Sequence, residues 1–104
     1  MAIVTTTDAR FKEEVESAET ALVYFGADWC PPCKRIAPVL QEIGQEMPDL
    51  KIIKMDVDDE PATAGSFGVM GLPTMIMFKH GQAVDRIIGF KSKDSLVSLV
   101  SRYL

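Results

Sequence analysis

Histidine and tryptophan occur once each in this chain, and cysteine only twice. These scarcities exclude a good deal. A structural zinc site needs four ligands, usually two cysteine pairs or a pair plus histidines. One pair, Cys30 and Cys33, with His80 far away in a Lys-His-Gly turn, does not supply them, so no metal site is expected. Basic residues are outnumbered, 11 Lys and Arg against 15 Asp and Glu, for a net charge of −4. That balance argues against nucleic acid or an anionic membrane as partner. No apolar run approaches the length that spans a bilayer. Met1 to Phe11 carries no basic patch followed by an apolar stretch, so it does not read as a secretory signal, and a cytoplasmic location is expected. The prolines and glycines are scattered singly at turns. Neither a linker nor a repeat shows, and residues 1–104 read as one domain with a modest core.

What is present is concentrated in one place. The two cysteines stand in Trp29-Cys30-Pro31-Pro32-Cys33-Lys34, just after the apolar run Ala21-Leu22-Val23-Tyr24-Phe25 and at the start of a helical pattern. A helix N-terminus presents unpaired N–H groups and a partial positive charge. A thiolate there is stabilised and its pKa falls. The second thiol is near enough to close a disulfide. A bridge over two intervening residues constrains little of the unfolded chain, so a structural staple is a poor explanation. In a reducing compartment such a pair is better explained as a redox centre.

The rest of the chain supplies a frame. Ile3-Val4-Thr5 reads as a strand, with Thr7 as N-cap of a helix carrying Asp8 in its first turn and Phe11, Val15 and Ala18 on its apolar face. Thr20 to Phe25 is a continuous apolar strand of the kind buried on both faces. Ile36, Leu40, Ile43 and Met47 mark a helix from near Pro32, with Pro38 inside it as a kink. Lys51 to Val57 reads as an alternating strand and Ala62 to Phe67 as a short helix. Thr74 to Phe78 and Ala83 to Ile88 read as a hairpin, with His80 in its turn. Ser92 caps a last helix that buries Leu96, Leu99, Val100 and Tyr103. The order β-α-β-α-β-α-β-β-α predicts an α/β fold, a five-stranded mixed sheet with four helices on its two faces. Cys30 then lies at the carboxyl end of a central strand, where such sheets place their functional crevice.

At these residues the chain resembles the thioredoxin family over its full length. Trp29, Cys30, Cys33 and Lys34 match the family's W-C-x-x-C-K. Ile36-Ala37-Pro38 matches the I-A-P that follows it, and Gly71-Leu72-Pro73-Thr74 the G-I-P-T whose proline is cis. The resemblance implies the thioredoxin fold and a protein-disulfide reductase that needs no cofactor of its own. It implies target-protein disulfides as substrates, an NADPH-dependent flavoprotein, thioredoxin reductase, as the recycling partner, and a monomer. Cys30 is the implied nucleophile, Cys33 the resolving thiol, and Lys54 the lysine near it; standing before the helix rather than one turn inside it, Cys30 is expected to be partly exposed and Cys33 shielded. Trp29, Pro31, Pro32, Leu72, Pro73 and Gly89 are the implied target groove, rimmed also by Gly26 and by Met70.

Three positions depart from the pattern, the first being Pro31, since the pair inside the motif is Pro-Pro rather than the usual Gly-Pro. The family's buried carboxylate maps onto Tyr24, and its first tryptophan onto Gly26. Tyr24 then either fills the volume beside Gly26 or changes how the second proton is handled, leaving that task to solvent, Lys54, Asp56 or Asp28. Three rival readings fit less well. Envelope thiol–disulfide proteins often carry W-C-P-P-C, but also an export signal and a central insertion not found here. A glutaredoxin lacks the motif tryptophan. A non-catalytic interaction module would have no use for an intact cysteine pair.

Overall fold

A computed structural model describes residues 3–104. β2 (Thr20–Gly26) is its organising element, with all seven residues buried. β3 (Lys51–Asp56) pairs with it in parallel, and β1 (Ile3–Thr5) pairs with β3, also in parallel. β4 (Thr74–Lys79) and β5 (Gln82–Ile88) add antiparallel strands on the other side. The five-stranded order is β1-β3-β2-β4-β5.

Successive residues of β2 point to opposite faces, and both faces are covered. Leu22 and Tyr24 pack in a cluster with Ile36, Leu40 and Ile43 of α2 (Pro31–Glu46) and Leu96, Leu99 and Val100 of α4 (Lys93–Ser101). Ala21, Val23 and Phe25 face the opposite cluster, with Phe11 and Val15 of α1 (Phe11–Glu16) and Ala64 of α3 (Pro61–Ser66). There Phe11, Phe67 and Phe78 meet with ring centroids 5.5–5.7 Å apart, at tilted to perpendicular angles. β3 buries Ile52 toward one cluster and Ile53 and Met55 toward the other, so it is not the half-exposed strand its alternation suggests.

The expected element order holds throughout. The β4–β5 turn is His80-Gly81, with φ of 50° and 78°. Two positive φ values in succession mark a type I′ turn, whose twist suits a hairpin. Ser92 caps α4, its hydroxyl accepting from Ser95 N–H at 3.2 Å. α2 runs through Pro38 to Glu46 and leaves Met47 as its C-cap. Tyr103 lies just past α4.

The first helix departs from expectation. It spans only Phe11–Glu16, with Arg10 at its N-cap and Ala18 beyond its end. Thr7 instead closes the preceding turn, Oγ1 accepting from Arg10 N–H at 3.3 Å. Asp8 is drawn away by a tertiary partner. Its carboxylate accepts from the Thr63 hydroxyl at 2.6 Å and from the Thr63 and Ala62 N–H groups at 2.8 and 3.0 Å. Asp8 therefore caps α3, whose own N-cap residue, Glu60, makes no side-chain cap. Glu60 returns the contact, Oε1 accepting from Asp8 N–H at 2.7 Å. This latch fixes the loop after β1 to the helix whose residue Ala64 lines the redox groove.

Asp8→Ala should cost about 1 kcal/mol, the usual worth of an N-cap, and lower Tm by roughly 4–8 °C. The Thr63 hydroxyl, helped by the two amides, holds the Asp8 carboxyl below its ordinary value. A folded pKa below the unfolded one gives stability that is complete above about pH 4 and fades as pH falls through the folded value. Thermal melts of parent and variant should therefore differ most near neutrality and converge in acid. A constant gap down to low pH would show that Asp8 acts through something other than its charged form.

Candidate functional site

The chain leaves β2 at Gly26 and turns through Ala27-Asp28-Trp29 into α2. Cys30 is the N-cap, in extended conformation with φ −93° and ψ 108°. Pro31 and Pro32 occupy the first helical positions, where a missing N–H costs nothing and a fixed φ is already helical. One turn in, Cys33 N–H donates to Cys30 Sγ at 3.2 Å. The cysteines are joined as a disulfide, their Cα atoms 5.2 Å apart. When the bond opens, Cys30 sulfur sits where the helix directs its free donors and its positive end. Negative charge on that sulfur is favoured over negative charge on Cys33.

Both cysteines are almost wholly covered in this oxidised state, Cys30 at 3% and Cys33 at 2% exposure. A partly exposed Cys30 was expected, and the difference between the two lies elsewhere: they open on different clefts. Cys30 lines an apolar groove of about 460 Å³ with Trp29, Pro31, Pro32, Met70 and Leu72, floored by Val57, Ala64 and Val69. Cys33 lines a cleft of about 350 Å³ on the other side, with Tyr24, Asp28, Lys34 and Lys54.

Trp29 is 66% exposed and so is no core residue. Its indole N–H donates to Asp58 Oδ2 at 2.8 Å, which pins the ring against the loop after β3. Asp58 is a site residue that sequence reasoning missed; it stands among other acids, Asp56 and Asp59, with nothing in its spacing to single it out. Met70 is 96% exposed, an unbranched thioether standing free on the groove wall. Of the expected groove residues, Trp29, Pro31, Pro32 and Leu72 line the cavity. Pro73 and Gly89 stand outside its wall. Pro73 is buried, follows a cis peptide after Leu72, and accepts a hydrogen bond from Gly89 N–H at 2.7 Å. Gly26 is not at the rim at all. It is buried under the Tyr24 ring, because residues two apart on a strand share a face.

Lys54 stands opposite Tyr24 in the β2–β3 register and reaches the Cys33 cleft, as expected. Asp28 lines the same cleft. Asp56 is otherwise engaged: its Oδ1 accepts from the Asp58 and Asp59 N–H groups at 2.8 and 3.2 Å. Tyr24 donates its hydroxyl to the Cys33 carbonyl at 3.2 Å. Burial, then the charges of Asp28 and Asp56, push its phenol above the ordinary value, so it is neutral at physiological pH. Arg35 lies over Phe90, 5.1 Å from the ring centroid. Among the described residues no cluster of three His, Cys, Asp or Glu could hold a metal, and no helix is long and apolar enough to cross a membrane.

The comparisons agree with this geometry. The family model described as thioredoxin matches residues 2–102. Thioredoxin of Bacillus subtilis strain 168 is 50% identical, with both chains covered completely. Thioredoxin of Staphylococcus aureus strain Mu50 is 48% identical, again over the whole of both chains. Among solved structures, a mutant thioredoxin from Halobacterium salinarum NRC-1 superposes with a TM-score of 0.91 at 30% identity, covering 97% of this chain and 89% of that one. Plasmodium falciparum thioredoxin gives 0.90 at 33% identity, with both chains fully covered. With its cysteine pair joined at the head of α2, the chain belongs to the thioredoxin family and is a thiol–disulfide oxidoreductase.

Proposed function

We propose that this protein reduces disulfides of other proteins through the Cys30-Pro31-Pro32-Cys33 centre. The observation that carries the reading is the position of Cys30, at once N-cap of α2 and wall of an exposed apolar groove. In the reduced protein Cys30 thiolate attacks one sulfur of a target disulfide. That S–S bond breaks, one target thiolate leaves, and a mixed disulfide forms. Cys33, deprotonated, then attacks Cys30 Sγ. The Cys30–target bond breaks, the second target thiolate leaves, and the Cys30–Cys33 bond closes. Two electrons pass to the target, and each released thiolate takes a proton from the surroundings. An NADPH-dependent flavoprotein, thioredoxin reductase, returns the two electrons.

The groove has the character a varied set of substrates requires. Its walls are apolar, Met70 can adapt its shape, and the face of the Trp29 ring, held at its edge by Asp58, is open for stacking. Leu72, in the groove wall, presents backbone with which an extended target segment can pair as an added strand. Lys54, in the cleft behind Cys33, favours the charged form of the resolving thiol. Residues 1–104 work in this reading as one domain, monomeric and in the cytoplasm.

With dithiothreitol as electron source the protein should reduce insulin, read as precipitation of the freed B chain. Cys33→Ser should trap a mixed disulfide with the target, and Cys30→Ser should trap none. If Cys30→Ser traps as much as Cys33→Ser, the roles are reversed. The groove can be tested separately. Met70 is so exposed that a charge there costs the fold little, so Met70→Asp should leave Tm within about 2–4 °C, an ordinary surface effect. Lost apolar contact of about 1 kcal/mol should raise KM for insulin roughly fivefold. Exchange with a small disulfide such as oxidised glutathione should not change. Equal effects on both substrates would place protein docking elsewhere.

A further inference from the structure

Tyr24 is a buried titratable side chain that the exchange steps above do not use, yet it touches the segment that carries them. Its hydroxyl donates to the carbonyl of the resolving cysteine at 3.2 Å. That carbonyl lies in the first turns of α2, next to a weak point. Pro38 has no N–H for the Lys34 carbonyl, and its ring crowds that turn. The phenol thus adds a donor at the carbonyl next to the one that Pro38 leaves without its N–H, and ties the Cys33 turn to β2, the most deeply buried strand. Space for the ring comes from Gly26. A Cβ at that position would stand 2.5 Å from the Tyr24 hydroxyl oxygen and 2.6 Å from Cζ. The two positions are a single device: the large ring at 24 requires the absence of a side chain at 26.

We propose that Tyr24 is a positioning residue for the resolving step, holding the Cys33 turn so that its sulfur is aimed at Cys30 Sγ, with Gly26 as the gap that admits it. The inference rests on the exchange mechanism proposed above. The phenol acts as a donor throughout and does not carry the proton. Its surroundings keep it so: burial and the carboxylates of Asp28 and Asp56 hold it protonated, Lys34 and Lys54 line the cleft it faces, and its β4 neighbour Met75 does not titrate.

The test follows two rates in single-turnover stopped flow: formation of the mixed disulfide by attack of Cys30, and its decay by attack of Cys33. Tyr24→Phe removes the hydroxyl and leaves the ring over Gly26. Attack should be unchanged and decay about three- to tenfold slower, the range expected for one hydrogen bond. The ratio of parent to variant decay rates should be flat between about pH 6 and pH 9, since a neutral phenol gains and loses no proton there. Gly26→Ala, which must displace the ring, should slow decay in the same way. Unchanged decay in Tyr24→Phe overturns the inference while leaving the exchange mechanism intact, as does an equal slowing of attack and decay, which would mark a general structural loss. A decay ratio that titrates within that range overturns it too, because the phenol would then be moving protons. A parent that forms no mixed disulfide overturns the exchange mechanism, and the inference with it.

Discussion

Burial of β2 on both faces is the constraint from which the rest of the structure follows. Seven consecutive residues are inaccessible, and the alternation of their side chains divides the interior into two clusters. Each cluster needs its own helices, so α2 and α4 cover one face and α1 and α3 the other. The parallel pairing with β3 directs the carboxyl ends of β2 and β3 to the same edge of the sheet. At that edge the chain must turn sharply into α2. The first residue of the new helix has free donors by necessity. Placing Cys30 there makes its sulfur the acceptor of one of them, so the chemistry uses a feature that the fold creates in any case.

The two faces of the redox centre differ in character. The groove on the Cys30 side is apolar, and its most exposed walls, Trp29 and Met70, contribute little to the core. Exposed apolar side chains gathered around one groove, unlike ones scattered singly, mark a contact site. The cleft on the Cys33 side is polar and includes both signs of charge, from Asp28, Lys34 and Lys54. Among the described residues, neither Asp28 nor Lys54 makes a side-chain hydrogen bond or ion pair. In the function proposed above, the polar cleft gives a proton a way out and the apolar groove takes the target. The disulfide lies between them.

Much of this was legible in the sequence because local and long-range signals agreed. The apolar run of β2, the prolines after Cys30 and the Ser92 cap each state their structure in a few residues. The hairpin was clear from Gly81, although the positive φ of His80 was not, since histidine gives no such signal alone. Where local signals misled, a distant partner had won. Asp8 looked like a first-turn acid of its own helix, but Thr63 and Ala62 offered it three donors, and α1 shortened accordingly. Lys51 to Val57 alternated like a half-exposed strand, but helices lie on both sides of the sheet, so Ile52 is buried on one face and Ile53 and Met55 on the other. Gly26 looked like a rim residue because its position faces the site in the chain, whereas the Tyr24 ring lies over it. Asp58 could not be found at all, since its role depends on where Trp29 points. In each case the missing information was contact between residues far apart in sequence.

The central claim is that the head of α2 makes Cys30 a thiolate at neutral pH. It is tested most directly by titrating the reduced protein and following thiolate absorbance in the ultraviolet. One thiol should ionise clearly below the free-cysteine value of about 8.5, and that step should vanish in Cys30→Ala while surviving in Cys33→Ala. If both thiols ionise at or above the free value, or if the low step belongs to Cys33, the helix does not activate Cys30 and the account is wrong.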